Sequence, residues 1–555
     1  MTRAVDGSGR DRGRWKPRTA SLAALVVAGL ALVVYLRTLL PGVSVGDWAE
    51  MQWIPARLGI PHPTGYPLYI LAGKAFSLIP IGSLGFRAEL LSAVAAAAAS
   101  GTAVLIAIRL HVRPVIAIAA GLSLAVTGEL WLEATFSEMN GFHLFLMAAV
   151  IHRALVWRAD RRDRDLLIGA FLSGLSLSNH VLAATVVPIV IVFVLVDARD
   201  RLRSEPGLLA KAAGLAILGL TPYLFLPIRG LFGPPEIYGK FLTWDGISSL
   251  VSGADLRGQM HFMSLDTLTK AWNDVGPVLA QLRDRSDLLF VVGGLIGVGV
   301  QLLRDRWLAL MLLLIVAVNV YFFANYVGDL DHYLLISWLA FAIWLAVGLE
   351  AVVSALERRL PRLAVGPGPA ILALVIPILV IGGNWTTYDQ SSNHDGDHFA
   401  ASVMADLPPN AVLLTYWDAL TSLGYVHCVD GVRPDVAIRA FDPTARVTCD
   451  PVEGTLEEVA SRRPLYALFA ATQELDPLRG RFTFVAGPSL AVPYGKRGLD
   501  YEAVLYRLVP IASSGSPAGD PLARPGPEAG APASPGVASP RISAAARWTA
   551  RTIGW

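Results

Sequence analysis

The chain has 555 residues, of which 54% are hydrophobic and 16% charged, and its formal net charge is +2. With a mean hydropathy of +0.52, this composition excludes a soluble globular protein and predicts an integral membrane protein. The nearly balanced charge gives no reason to expect a nucleic-acid partner, so the placement of the basic residues carries the information.

The N-terminal segment, residues 1–20, carries five Arg and one Lys and precedes the apolar run 21–40. That run is about long enough to cross a bilayer core of roughly 30 Å. It ends without a clean small-residue cleavage site, so we expect an uncleaved first span with a cytoplasmic N-terminus.

The loop after this span, residues 41–86, contains the stretch VGDWAEMQWIPARLGIPHPTGYPLY at 45–69. It places Asp47, Glu50, His62 and Tyr66 where the chain leaves the membrane. Residues 67–83 are apolar but contain a lysine and proline flanks. A full crossing there would move every later basic cluster to the outside, so we predict an interfacial or re-entrant helix.

The later apolar runs alternate with arginine clusters, which the positive-inside rule assigns to the cytoplasm. The resulting scheme has eleven spans in a membrane region covering residues 21–384. It places the polar loop residues that could carry out chemistry on one face of the membrane, the extracytoplasmic face. The spans are predicted near residues 21–40, 88–108, 114–131, 140–157, 165–178, 181–196, 208–227, 287–303, 307–324, 333–352 and 368–384.

Three further places on that face carry polar side chains. The hairpin LSLSNHVLAAT has short limbs, so Asn179 and His180 are predicted to lie below the outer bilayer surface and to face a cavity; the alternative is a polar turn at ordinary depth. Glu138 and Arg229 stand at outer span ends. Glu138 is a candidate lining residue, and Arg229 could bind phosphate or anchor its helix.

The chain changes character after the last span. Residues 385–510 alternate short β-prone runs with helix signals, which predicts a small extracytoplasmic α/β domain. Residues 511–555 are rich in Pro and Ala and predict a disordered tail. Cys428 and Cys449 would form a disulfide in an oxidising compartment; the alternative is two buried thiols.

A carboxylate just outside the first span suits a reaction between a lipid-anchored group and an aqueous acceptor, because an attacking hydroxyl needs a base. GDWAE, GIPHPTGYPLYILAGKAF, RAELLSAVAAAAA, SEMNGFHLF, LSLSNHVLA, YLFLPIRG and NAVLLTYWDALTSLGYVHCVDGVRPDVAI resemble a bacterial membrane-protein family. That family is related to a eukaryotic transmembrane O-mannosyltransferase and belongs to the C-type glycosyltransferases, which use polyprenyl-phosphate sugars.

The resemblance implies a polytopic α-helical fold in the plasma (inner) membrane and inverting sugar transfer to a protein or glycan, with Asp47 as general base. Mannose follows from the eukaryotic relative alone. Glu50 would assist or orient Asp47. No cofactor is assigned, and a divalent metal at this acidic pair stays an open alternative.

Each candidate also has a structural interpretation. Asp47 could cap a helix beginning at Trp48, His62 could fix its proline-flanked turn, and Tyr66 could anchor the loop at the interface. Two other functions compete with the enzyme: a transporter or flippase of lipid-linked saccharides, and a non-catalytic envelope assembly protein.

Overall fold

The computed structural model describes residues 15–233, 236–238, 243–254, 287–325, 331–360, 368–441, 445–447, 449, 452–470, 472–494 and 499–511. The predicted tail and most of the basic N-terminal segment lie outside these residues. The described α-helices are α1 Pro17–Thr38, α2 Gly46–Arg57, α3 Pro67–Ser77, α4 Leu84–Arg109, α5 Pro114–Ala125, α6 Gly128–Thr135, α7 Met139–Asp160, α8 Asp163–Asn179, α9 Ala183–Asp197, α10 Arg199–Ser204, α11 Pro206–Gly219, α12 Phe225–Leu231, α13 Trp244–Ser252, α14 Asp287–Arg304, α15 Arg306–Asn325, α16 Leu335–Arg359, α17 Gly368–Ile371, α18 Val375–Tyr388, α19 Asp395–Asp406, α20 Trp417–Cys428 and α21 Leu456–Arg462.

The strands form two sheets. Five strands have the order β3-β2-β5-β7-β6, with β2 parallel to β3 and β5, and β7 antiparallel to β5 and β6. A short antiparallel pair, β1 with β4, joins the segment after α12 to the C-terminal part of the chain. The strands are β1 Glu236–Tyr238, β2 Val412–Thr415, β3 Ala437–Ala440, β4 Ala445–Val447, β5 Leu465–Phe469, β6 Phe482–Tyr494 and β7 Leu499–Pro510.

The protein is a multi-pass helical membrane protein with a small C-terminal α/β unit. Within the described residues, seven helices are long and apolar enough to cross a bilayer, and an eighth span results if α5 and α6, bent by 64°, are counted as one. Each of the eleven predicted spans coincides with helical structure. Since α8, α9 and α14 do not meet that test, the count of eleven stays a prediction.

Helix α3 occupies the segment predicted as interfacial or re-entrant. It begins at Pro67, whose fixed φ suits a first helical position, and it has 11 residues. At about 1.5 Å per residue this helix is too short to cross a hydrocarbon core of roughly 30 Å. Its length therefore agrees with the prediction that the segment does not cross.

The α/β unit, hereafter the sheet unit, consists of strands β2, β3 and β5–β7 with helices α19–α21. Of the two alternatives left open for the cysteines, the structure has the disulfide: Cys428, the last residue of α20, is bonded to Cys449, with Cα atoms 5.6 Å apart. The domain boundaries at residues 384 and 510 stay predictions.

Two large apolar clusters organise the molecule. The first lies among the long helices. The second is shared between the loop after the first span and the sheet unit, because Met51, Trp53 and Ile70 pack in one cluster with Leu420 and Leu505. The sheet unit is thus fixed directly on the loop that carries the candidate catalytic residues.

Helices α14 and α16 approach each other through glycine. A Cβ at Gly297 would collide with the carbonyl oxygen of Trp344, and one at Gly348 would lie 2.7 Å from the carbonyl oxygen of Gly293. Small residues allow such close backbone contact between membrane helices, where packing replaces the hydrophobic effect as the driving force.

Gly297→Ala is therefore expected to force the two helices apart. The overpacking should lower the free energy of unfolding by about 1–3 kcal/mol, measured by thermal unfolding in detergent. Gly299→Ala is the matched control, because Gly299 lies on the same helix with open space around it and alanine favours a helix over glycine by roughly 0.5–1 kcal/mol. Equal unfolding midpoints for the two variants would contradict the contact.

Candidate active site

Helix α2 presents the two acids of the loop. It begins at Gly46, with Val45 as its N-cap, so Asp47 does not serve as the cap that the structural interpretation proposed. The Asp47 side chain is 49% exposed, whereas Glu50, about one turn further, is 1% exposed. One acid therefore faces the surroundings and the other is enclosed.

His62 bridges these two acids. Its Nδ1 lies 2.5 Å from Glu50 Oε2, and its Nε2 lies 3.5 Å from Asp47 Oδ2. The backbone N–H of His62 also donates to Glu50 Oε1 at 3.0 Å. A buried carboxylate needs this kind of pairing, since an isolated charge is strongly disfavoured away from water.

The two neighbouring carboxylates favour the protonated form of His62. Burial lowers the pKa of His62, but the carboxylates of Asp47 and Glu50 outweigh burial and raise the pKa to about 9. Burial also raises the pKa of Glu50, and His62 opposes that shift. At neutral pH His62 is therefore an imidazolium with both ring nitrogens as donors.

A line of aromatic rings leads from His62 into the helical bundle. The hydroxyl of Tyr66 lies 3.3 Å from His62 Nε2 and donates to the carbonyl of Pro63 at 2.9 Å. The ring centroids of Tyr66 and His180 are 5.4 Å apart, and those of His180 and His143 are 5.2 Å apart. His180 thus contacts the first loop through Tyr66, while its predicted position facing a cavity stays a prediction.

Buried polar atoms beside this line have no hydrogen-bond partner among the described residues. They are Oε2 of Glu138, Oδ1 of Asn179 and both ring nitrogens of His143. Each of these side chains is nearly enclosed, with exposed fractions of 6%, 0% and 5%. Because such atoms are costly to bury unpaired, this group, hereafter the unpaired cluster, is suited to a polar ligand.

Arg229 contacts the C-terminal end of α2. Its Nε donates to the carbonyl of Leu58 at 2.7 Å and its Nη2 to the carbonyl of Arg57 at 3.2 Å. It therefore binds the free carbonyls at the C-terminal end of α2, which a cation satisfies well. This contact favours the anchoring interpretation of Arg229 over the phosphate one.

The sheet unit supplies residues that the sequence argument did not assign. Trp417 Nε1 donates to Asp47 Oδ1 at 2.6 Å, and the next residue, Asp418, is half-buried close enough to Asp47 to feel its charge. Burial, with the Asp47 charge, raises the pKa of Asp418 to about 6. Trp417 and Asp418 stand in the motif TYWDALTSLGYVHC, but nothing in this motif indicates a contact with Asp47, 370 positions earlier than Trp417.

Asp47, Glu50 and His62 could together hold a metal ion, since one ligand atom from each lies within 4.8 Å of the others. A mixed set of carboxylate oxygen and imidazole nitrogen suits zinc or manganese. Such binding would require His62 to lose a proton, because only neutral imidazole ligates metals.

Comparison with known proteins confirms the predicted relation. Residues 47–203 match the family model of the protein O-mannosyl-transferase TMEM260 N-terminal domain. The chain is 27% identical over 456 residues to protein O-mannosyl-transferase TMEM260 of Mus musculus, covering 77% of this chain and 63% of that protein. Identity to the Dictyostelium discoideum protein O-mannosyl-transferase tmem260 is 24% over 486 residues, covering 77% and 58%. The chain spans about three fifths of the length of these relatives.

Solved structures give weaker likenesses. ArnT from Cupriavidus metallidurans bound to undecaprenyl phosphate has 15% identity and a TM-score of 0.47, with 90% of this chain and 100% of that chain covered. Arabinofuranosyltransferase AftD from Mycobacteria has 13% identity and a TM-score of 0.43, with 90% and 40% covered. Both scores fall below 0.5, so neither adds to what the fold itself establishes.

The bridge predicts a pH-dependent stability. The folded pKa of His62, about 9, exceeds its ordinary value of 6.5, so its contribution is complete below pH 6.5 and is lost as pH rises through about 9. We expect the thermal unfolding midpoint in detergent to fall between pH 7 and about pH 9.5, and to fall less in His62→Gln.

Glu50→Gln tests the cause of this dependence. It removes one of the charges that raise the pKa of His62 while keeping the side-chain shape, so the same fall should begin at lower pH. Coincident pH profiles for wild type and His62→Gln would refute the bridge.

Proposed function

Because the chain is related to the protein O-mannosyl-transferases TMEM260, we propose that it is a membrane glycosyltransferase. It would transfer a sugar from a polyprenyl-phosphate carrier to a hydroxyl of a protein or glycan on the extracytoplasmic face, with mannose as the first sugar to test. The observation that carries the proposal is the half-exposed carboxylate of Asp47, held beside His62 directly after the first span.

Asp47 is the proposed general base. The acceptor oxygen attacks the anomeric carbon, its proton passes to Asp47, and the bond from that carbon to the phosphate oxygen breaks with polyprenyl phosphate taking the electron pair. This displacement inverts the anomeric centre. Glu50, enclosed and bound to His62, acts as a positioning residue that keeps the imidazolium in place.

The leaving phosphate needs a cationic partner, since negative charge grows there in the transition state. Arg229 binds carbonyls at the end of α2, so among the described residues beside Asp47 the imidazolium of His62 is the proposed partner. Tyr66 and His180 continue from it into the bundle.

The unpaired cluster is the proposed site for the sugar hydroxyls. Asn179 Oδ1 fits a ligand that brings an O–H donor, because an amide oxygen accepts. Burial raises the pKa of Glu138 well above its usual value, so its carboxyl group can donate to or accept from a sugar hydroxyl. His143 can accept or donate depending on its tautomer. A hydroxyl-rich ring would satisfy atoms that otherwise stay buried and unpaired.

Sugar transfer in membranes, with a panel of labelled polyprenyl-phosphate sugars and native envelope acceptors, tests Asp47. Asp47→Asn keeps the shape and removes the base, so we expect kcat to fall about a hundredfold or more. Asp395→Asn is the matched control, because Asp395 is also exposed and in the first turn of a helix, α19.

Equal transfer by wild type and Asp47→Asn would remove the base role from Asp47. No transfer by wild type from any donor would favour the transporter or assembly function instead. A parallel assay with excess chelator tests the metal alternative: loss of transfer that returns on adding zinc or manganese would show that Asp47, Glu50 and His62 hold a metal ion.

His143→Phe tests the sugar site. Removing two unpaired buried nitrogens while keeping the ring should raise the unfolding temperature, because a buried group without a partner carries a full desolvation penalty. The same change should weaken donor binding about 3–10-fold, the scale of one hydrogen bond, measured as the KM for donor.

His152→Phe on the same helix, α7, is the control and should leave the KM for donor unchanged. A His143→Phe enzyme with wild-type donor affinity would show that the sugar binds elsewhere.

A further inference from the structure

We propose that Trp417 is a positioning residue for Asp47, so that the sheet unit completes the active site. The proposal rests on the proposed function. It begins from the hydrogen bond of 2.6 Å between Trp417 Nε1 and Asp47 Oδ1, which joins the first loop to the first residue of α20.

An indole is well suited to this task. Its N–H only donates and does not titrate, so it cannot compete with Asp47 for the proton of the acceptor. Its ring is rigid and is further held by neighbours, with centroids 6.0 Å from His62 and 5.4 Å from Tyr238. The donor therefore has a fixed direction.

The two carboxylate oxygens of Asp47 have different partners. Trp417 occupies Oδ1, while Oδ2 faces His62 at 3.5 Å. The Asp47 side chain is 49% exposed and would otherwise rotate about its terminal torsion, which is broad for Asp. Held from two sides, it keeps a constant orientation toward an approaching hydroxyl, as general-base catalysis requires.

The helix that carries Trp417 is itself fixed on α2. Thr421 Oγ1 donates to the carbonyl of Gly46 at 2.8 Å, one residue before Asp47. Gly46 has φ +58°, and a Cβ there would lie 3.2 Å from Asp418 Oδ1. Backbone conformation and close contact both favour glycine at this point of docking.

Trp417→Phe removes the N–H and keeps most of the aromatic area. In the transfer assay we expect kcat to fall about 10–100-fold, the scale for a hydrogen bond to a charged group, with the KM for donor within about twofold because the sugar site is untouched. Trp417→Gln restores an N–H donor and should recover part of kcat. Trp244→Phe, at an indole that is 80% exposed, should keep wild-type kcat.

Thr421→Val separates positioning from docking. It removes the hydrogen bond from Thr421 to the carbonyl of Gly46 and leaves the indole in place. Because the lost bond supports docking and does not touch Asp47, kcat should stay within about threefold of wild type while the unfolding temperature falls. If Trp417→Phe and Thr421→Val lowered kcat and unfolding temperature in parallel, Trp417 would act through docking alone and the proposal would be wrong.

The two proposals fail in different ways. Active wild type with an equally active Trp417→Phe would overturn the role of Trp417 and leave the proposed function intact. Inactive wild type with every donor of the panel would overturn the proposed function and this inference together, since there would be no base to position.

Discussion

The enclosed carboxylate of Glu50 is the constraint on which the site depends. An acid that is 1% exposed must be neutralised or paired, because water is not available to solvate it. His62 meets this need with its ring and its backbone N–H. The proline-flanked turn that carries His62 is thereby fixed against α2, and the second ring nitrogen is left facing Asp47. The geometry of the exposed acid follows from the burial of its neighbour.

The burial of Glu50 also explains why apolar side chains must shield the first loop from water. A charged bridge is strongest where water is excluded, and here apolar side chains from two parts of the chain exclude it. Met51 and Trp53 point into a cluster shared with Leu420 and Leu505 of the sheet unit. Arg229 closes the far end of α2 by binding its last carbonyls. The loop is consequently a rigid element between the long helices and the sheet unit.

The sequence could predict what depends on local pattern. The position and length of the apolar runs predicted every helix assigned as a span. The alternation of short β-prone runs with helix signals predicted the α/β character of the C-terminal part. Asp47, Glu50 and His62 lie within 16 residues, so their proximity was a short-range inference. Their roles stay predictions, as do the roles of the residues in the unpaired cluster.

Long-range contacts were beyond such reasoning. Nothing in the local sequence of Trp417 indicates that its indole reaches Asp47, because the contact depends on how a whole unit docks. Arg229 shows the converse: a cation at an outer span end suits phosphate by type, and only the tertiary structure reveals that backbone carbonyls occupy it. Residue type limits the chemistry that a position can perform, while packing decides which partner it has.

The separation of Asp47 from its indole partner by 370 residues also orders events in time. A chain made from its N-terminus contains Asp47, Glu50 and His62 early, and the residues that cover them, Leu420 and Leu505 among them, are made after the last of the long helices. Since Cys428 ends the helix that begins at Trp417, oxidation to the disulfide belongs to that same late stage. The contact between Trp417 and Asp47 can therefore form only after the chain has been made through α20, and a nascent chain carries the acids long before it carries the indole that binds one of them.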